Sequence, residues 1–370
     1  MDVPAPFAPP SRLLLGPGPS EVAPEVLAAL ARPTIGHLDP AFLGLMDEVR
    51  AMLRAAFETD HPLTLPMSGT GSAGMETCFV DLVEAGDPVV VGVHGVFGVR
   101  MAEVARRAGG RVRVVEAAWG TPLDPDAMRR AAREHGAKVL ALVHAETSTG
   151  VLTDLAPYRA IADEAGALLL VDAVTSLGGL SIGVDRHGVD AVYACSQKCL
   201  SCPPGLAPVS LSPAAEAVLV SRKTPVASWY FDLSLIRQYW GSERVYHHTA
   251  PINMLYGLHE ALRQVLLEGL PAREARHRDA ARHLWAGLAA MGLEPLVEEA
   301  HRLPPLTTVR VPDGVDEAAV RRRMLDESGI EIGGGLGPLK GKVWRIGLMG
   351  RVASRERADR CLAALARALA

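Results

Sequence analysis

The sequence predicts an α/β protein, a mostly parallel sheet sandwiched by helices, followed by a smaller C-terminal α+β domain. Three observations predict it. Between about residues 63 and 195, short Val/Leu/Ala runs alternate with amphipathic segments, and near-continuous apolar strands separated by helices mark parallel strands covered on both faces. After about residue 269 that alternation gives way to a long polar-faced segment and shorter mixed elements. The chain has 370 residues, 49% hydrophobic and 22% charged, enough for two or three domains with a full core and far from the composition of a disordered chain.

The elements follow in order. Residues 1–19 hold six prolines and read as an extended arm. Helices are expected at Glu21–Ala31 and Phe42–Phe57. The stretch Leu63-Thr-Leu-Pro-Met-Ser-Gly-Thr-Gly-Ser72 reads as a strand running into a Gly/Ser/Thr loop, with a helix over Ala73–Glu84. Strands follow at Pro88–Val93, Arg111–Glu116, Val139–His144, Ala167–Ala173 and Ala191–Cys195, and helices at Gly98–Ala108, Asp124–Glu134 and Leu155–Ala165. The last third reads as helix Ala272–Met291, strand Thr307–Val311, helix Asp316–Glu327, an extended stretch Lys342–Gly347 and helix Ser354–Leu369. The domains expected are the arm at 1–19, a large domain at 20–268 and a small one at 269–370.

Charge excludes several classes of function. Lys plus Arg is 38, Asp plus Glu is 42, and the net charge is −4. No basic excess points to nucleic acid and no polybasic block to a membrane surface. No apolar run reaches the ~18 residues of a membrane span, and the N-terminus lacks the basic and apolar regions of a signal peptide. Five cysteines, three of them within eight residues, are no disulfide framework, so a reducing cytoplasm is expected. Only five of the cationic residues are lysines: Lys138, Lys198, Lys223, Lys340 and Lys342. A lysine within an apolar segment is then a candidate for chemistry, because arginine neither deprotonates nor forms a Schiff base.

Ligands of open parallel sheets bind at the carboxyl ends of the strands, and three strand ends here are suggestive. Ser68-Gly-Thr-Gly-Ser72 precedes a helix, where backbone N–H groups and the helix dipole bind phosphate; a plain strand-to-helix turn reads the same way. Its spacing fits neither a Walker A loop nor G-x-G-x-x-G, which disfavours ATP and NAD. Asp172 ends the apolar run Leu168–Val171; alone it reads equally as a helix cap or a loop salt bridge. Lys198 follows Ala191-Val-Tyr-Ala-Cys-Ser-Gln197, where burial would lower its pKa and sharpen it as a nucleophile toward carbonyls, unless the side chain reaches solvent. A phosphate cradle, an anion and a nucleophilic lysine at one sheet edge suit pyridoxal 5'-phosphate: the lysine carries the Schiff base, and the carboxylate keeps the pyridine nitrogen protonated.

These residues also carry a family resemblance. The sequence resembles the class V (fold-type I) pyridoxal-phosphate aminotransferases, close to the alanine–glyoxylate and serine–glyoxylate/pyruvate group. The matching stretches are Leu13–Ser20, Ser68–Ser72, Glu146–Val151, Val171–Gly179, Gly188–Asp190, Ser196–Lys198 with Pro203–Gly205, Tyr246–Pro251, Gly333–Pro338 and Arg345–Gly350. They cover nearly the whole chain, in order. The resemblance implies a seven-stranded-type sheet and a transaminase moving an amino group from alanine or serine to glyoxylate or pyruvate. It implies that Lys198 bonds the cofactor and shuttles the proton, that Asp172 pairs with the pyridine nitrogen, and that Thr70, Gly71, Ser72 and Gln197 surround the phosphate. It places Thr147 near the ring substituents and Phe97 on the ring face. Phe97 stands where the family often has Trp, keeping the stacking and losing the indole N–H. Arg345 would bind the substrate carboxylate. Tyr246 and Thr249 would complete the partner subunit's phosphate site, which implies a homodimer with shared active sites.

Rival readings come from the cysteines and histidines. Cys195, Cys199 and Cys202 have the C-x3-C-x2-C spacing of iron–sulfur sites, or are small buried thiols. A cysteine desulfurase would have His before the lysine and a mobile Cys; here Gln197 precedes Lys198, and Cys361 lies in a predicted helix. An aspartate aminotransferase-like or broad-specificity transaminase and a non-catalytic binding protein remain alternatives. Adjacent His247 and His248 are expected to point apart, without a third ligand, so no metal site is expected. Residues 229–246 hold six of the 17 aromatics, as core packing or as an interface wall.

Overall fold

The computed structural model describes residues 1–370. Seven strands form the central sheet, in the order Leu63–Ser68, Leu206–Leu211, Ala191–Tyr193, Leu168–Asp172, Val139–Val143, Pro88–Val93, Arg111–Glu116. Six run parallel; Leu206–Leu211 is antiparallel to both its neighbours. The inner strands are buried except for the half-buried first residues Pro88 and Leu168, as their unbroken apolar runs require. Helices Gly71–Leu82, Val96–Arg107, Pro125–His135 and Tyr158–Ala165 connect them. Asp39, Asp124, Asp232, Asp316, Ser212 and Ser354 cap helix N-termini through their side chains, which satisfies N–H groups that have no partner within the helix.

Leu206–Leu211 is absent from the sequence expectation because Pro208 sits in its middle, and proline argues against a central strand. The register explains how it is tolerated. Pro208 faces Pro66 across the ladder, and Gly69 N–H donates to Gly205 O at 2.9 Å. Alternation from that bonded pair makes Pro66 and Pro208 a non-hydrogen-bonded pair, so no bond between these two strands is lost. Pro208 O accepts from Ala194 N–H on its other side. Helices Pro213–Val220, Leu233–Trp240 and Ile252–Glu268 lie outside the expected elements as well. The last buries Ile252, Leu255, Tyr256, Leu258, Leu262 and Val265, a spacing that carried the signal.

The apolar core has two large parts. One spans residues 23–265 around the central sheet. The other gathers Ala280–Ala368 around the antiparallel sheet Leu306–Arg310, Val343–Gly347, Gly333–Gly334. Leu13 and Leu15 belong to this second part. Leu13–Leu14 pairs in parallel with Ile330–Glu331, and Gly347 N–H donates to Leu15 O at 2.8 Å. Only residues 1–12 are the exposed, irregular arm that the prolines suggested. The segment Gly16–Ser20 crosses from the small sheet to the central one.

Candidate active site

The N-terminus of helix Gly71–Leu82 abuts the carboxyl ends of Leu168–Asp172, which carries Asp172, and of Ala191–Tyr193, which leads into the turn that carries Lys198. A Cβ on Gly71 would lie 3.0 Å from Cys195 Cβ and 3.2 Å from Val174 Cγ2, so any larger residue would push these neighbours back by a few tenths of an ångström. Thr70 makes no side-chain cap. The first N–H groups of a helix lack partners within it, and together with the dipole they form an anion site. Gln197, half-buried, presents a buried Oε1 without a hydrogen-bond partner.

Asp172 is 2% exposed. Its Oδ1 accepts from Val174 N–H at 2.8 Å and its Oδ2 from Tyr193 Oη at 2.7 Å. Burial pushes its pKa up to about 7, and the nearby Glu146 adds to the rise. Burial lowers the Lys198 pKa, and Arg345 lowers it further. Lys198 Nζ donates to Pro17 O, and its aliphatic stem lies on Gly18, where a Cβ would collide with it. Gly18 has φ 109°, a conformation open to glycine. Ser20 fixes the crossing: its N–H donates to Gln197 O at 2.9 Å and its Oγ to Lys198 O at 2.6 Å.

Arg345 comes from the small sheet, opposite Thr308 and Gly333. It is 6% exposed. Nε donates to Gly334 O at 2.7 Å and Nη1 to Thr147 O at 3.1 Å, across to the large sheet's side. No carboxylate pairs with it, although burial lowers its pKa to about 10 and Glu146 is the nearest negative influence. A buried charge without a counter-ion is costly, so this guanidinium is built to receive an anion.

Glu146 is a buried carboxyl of this cluster that the sequence reading did not single out. It is fully buried. Oε2 accepts from Phe97 N–H and Gly98 N–H at 3.2 and 3.3 Å, and Oε1 from Ser148 N–H and Oγ at 3.0 and 2.6 Å. Ser148 Oγ in turn accepts from Val96 N–H at 2.9 Å. One carboxyl thus ties the start of the helix bearing Phe97 to the loop bearing Thr147. An acidic residue three positions past the apolar strand Val139–Val143 was the available signal. Tyr193 was missed too, because its role is set by its partner across the sheet.

Tyr246 and Thr249 lie away from this cluster. Both are exposed, with their hydroxyls 3.2 Å apart. They flank His248, whose Nε2 lies 2.8 Å from Ser68 Oγ at the start of the Ser68–Ser72 loop. His247 and His248 do not diverge as expected: their Nδ1 atoms face each other at 2.8 Å. No group of three His, Cys, Asp or Glu side chains converges as a metal site. Cys195, Cys199 and Cys202 are separately buried, Cys199 donating to Thr175 O at 3.2 Å, and burial pushes their pKa values up to about 12, 11 and 12. The iron–sulfur reading is therefore not favoured. Cys361 is buried in helix Arg355–Leu369, unlike a mobile nucleophile. The aromatics of 229–246 divide: Tyr239 and Trp240 are core, while Trp229, Tyr230 and Tyr246 are exposed.

The residues present fit pyridoxal phosphate: an uncapped helix start and an orphaned amide for the phosphate, a buried carboxylate for the ring nitrogen, and a buried lysine for the aldehyde.

Known proteins give the same picture. A family model described as Aminotransferase class-V matches residues 19–343. A crystal structure of alanine–glyoxylate aminotransferase from Nostoc sp. superposes with a TM-score of 0.98 at 50% identity, covering 100% of this chain and 98% of that one. The alanine–glyoxylate aminotransferase of Rattus norvegicus is 42% identical over 98% of this chain and 89% of its own length. The (S)-ureidoglycine–glyoxylate transaminase of Bacillus subtilis is 39% identical over 94% of this chain and 88% of its own.

Proposed function

The chain belongs to the class V aminotransferases, and from that premise we propose that it is a pyridoxal-phosphate transaminase moving the amino group of a small L-amino acid, alanine or serine, to glyoxylate or pyruvate. The observation that carries this reading is Arg345, a buried guanidinium anchored on both sides of the site and without an anion. Its planar fork matches an α-carboxylate, and nothing comparable marks a second carboxylate site. The names of the relatives favour glyoxylate as acceptor.

Pyridoxal phosphate, when bound, supplies an electron sink for charge developing at the substrate α-carbon. Lys198, its pKa lowered by burial, would hold the cofactor through its aldehyde carbon and, once the substrate amine has displaced it, would carry a proton to and from the α-carbon. Asp172, as a carboxylate, would pair with the ring nitrogen and keep the proton on that nitrogen. Thr70, Gly71, Ser72 and Gln197 hold the phosphate, Phe97 covers the ring face, and Thr147 lies beside the ring substituents. Tyr246 and Thr249 complete the phosphate site of a second copy, in a homodimer with shared sites; their exposure on a single chain supports this. The large domain at 20–268 carries the cofactor and the small domain at 269–370 brings Arg345. Five free, buried cysteines support a cytoplasmic setting, and no helix is long and apolar enough to cross a membrane.

The test is a panel of alanine, serine, (S)-ureidoglycine, aspartate and glutamate against glyoxylate, pyruvate and 2-oxoglutarate, with the purified holoenzyme. Alanine or serine with glyoxylate is expected to give the highest kcat/KM. Aspartate with 2-oxoglutarate as the best pair would overturn the substrate reading.

A further inference from the structure

The carboxyl assigned to the cofactor's ring nitrogen is itself held from the neighbouring strand. Asp172 and Tyr193 are direct partners across parallel strands. Their side chains leave the sheet on the same face, where Tyr193 Oη meets Asp172 Oδ2 at 2.7 Å. Tyr193 is fully buried. Its Cβ lies 3.1 Å from where a Cβ on Gly74 would stand, so helix Gly71–Leu82 packs closely over the root of this side chain. Only two donors reach the Asp172 carboxyl: this hydroxyl and Val174 N–H.

Resting on the cofactor reading above, we propose that Tyr193 is a positioning residue that keeps the Asp172 carboxylate oriented and anionic toward the pyridine nitrogen. A buried carboxyl carries its charge only when hydrogen bonds replace lost water. Glu146 nearby works against that charge. A pyridinium N–H and a carboxylate share one proton; whichever group is more basic keeps it. Without the phenol O–H, Asp172 becomes more basic and the proton shifts from the ring nitrogen to Asp172, leaving two neutral groups and a weaker electron sink. The phenol itself stays protonated, since burial and Asp172 hold its pKa well above the ordinary tyrosine value.

Tyr193→Phe keeps the ring's volume, and the apoprotein's denaturation midpoint checks that the fold persists. The direct readout is the ring-nitrogen NMR shift of 15N-labelled pyridoxal phosphate bound to wild type, Tyr193→Phe and Asp172→Asn holoenzymes. The wild-type nitrogen should be protonated, the Asp172→Asn nitrogen unprotonated, and Tyr193→Phe displaced toward the latter. For alanine with glyoxylate, Tyr193→Phe should lower kcat about 10- to 100-fold, the range for one hydrogen bond to a charged group, with KM changed less than threefold. The Tyr193→Phe/Asp172→Asn double variant should be no slower than Asp172→Asn alone, since both act through one group. A wild-type shift in Tyr193→Phe, or additive losses in the double variant, would overturn the proposal. Failure of the wild-type protein to bind the cofactor at Lys198 would instead overturn the site reading beneath it.

Discussion

Replacing Arg345 by alanine isolates the substrate carboxylate. A guanidinium has five N–H donors; two are taken by Gly334 O and Thr147 O, which leaves three. The backbone contacts fix the fork, and its 6% exposure means that a bound carboxylate is screened little by water. Removing one partner of such a desolvated, hydrogen-bonded charge pair costs about 2–5 kcal/mol. At about 1.4 kcal/mol per factor of ten, kcat/KM for alanine should fall roughly 30- to 4,000-fold. Ethylamine, which is alanine without its carboxylate, supplies the control: its slow reaction should be unchanged in Arg345→Ala. Arg345→Lys should recover little, because a point charge lacks the fork. The assay compares both amines in the first half-reaction, followed by cofactor absorbance under single-turnover conditions. Equal losses for alanine and ethylamine would refute the assignment, because the defect would then lie in the cofactor's environment.

Glu146→Gln should destabilise the apoprotein by about 3 kcal/mol, since one face of the amide must meet N–H donors of Phe97 and Gly98 or of Ser148; urea denaturation measures it, and an unchanged midpoint would mean that the carboxyl is already neutral. Asp172, raised to about 7 in the fold from 3.8, binds more protons folded than unfolded across that interval, so its contribution to apoprotein stability is full below pH 4 and is lost as pH rises to 7. The stability of Asp172→Asn relative to wild type should accordingly rise between pH 4 and 7, by on the order of 3–4 kcal/mol, and a pH-independent difference would contradict the shift. All five cysteines are buried, so a thiol reagent should label none in the native protein and all five in denaturant.

Much of this architecture was legible because apolar runs and caps are local signals. The parallel strands, the phosphate loop, Asp172 and Lys198 all stood at readable positions in the sequence. What was not legible depended on pairing between distant segments. Pro208 hid a central strand whose tolerance rests on the phase of its ladder with Pro66. The roles of Tyr193 and Glu146 arise from partners 21 and about 49 residues away. Arg345 was placed by resemblance, and only the structure shows why it suits an anionic substrate, with two backbone carbonyls holding it and no carboxylate neutralising it. The exposure of Tyr246 and Thr249 belongs to the same class, because the partner proposed for them is a second copy of the chain.

The crossing of Leu13–Ser20 has a consequence for synthesis. Leu13–Leu14, which leads into the segment that touches Lys198, is made about 300 residues before its strand partner Ile330–Glu331. Closure of so long a loop is slow and comes late in folding. The nascent chain can therefore complete the central sheet, with Lys198 and the Ser68–Ser72 loop in place, while Leu13–Leu14 is still unattached. The lysine acquires its Pro17 contact when that segment pairs with Ile330–Glu331. A chain lacking either of these two strands fails at that same step, with the central sheet already built.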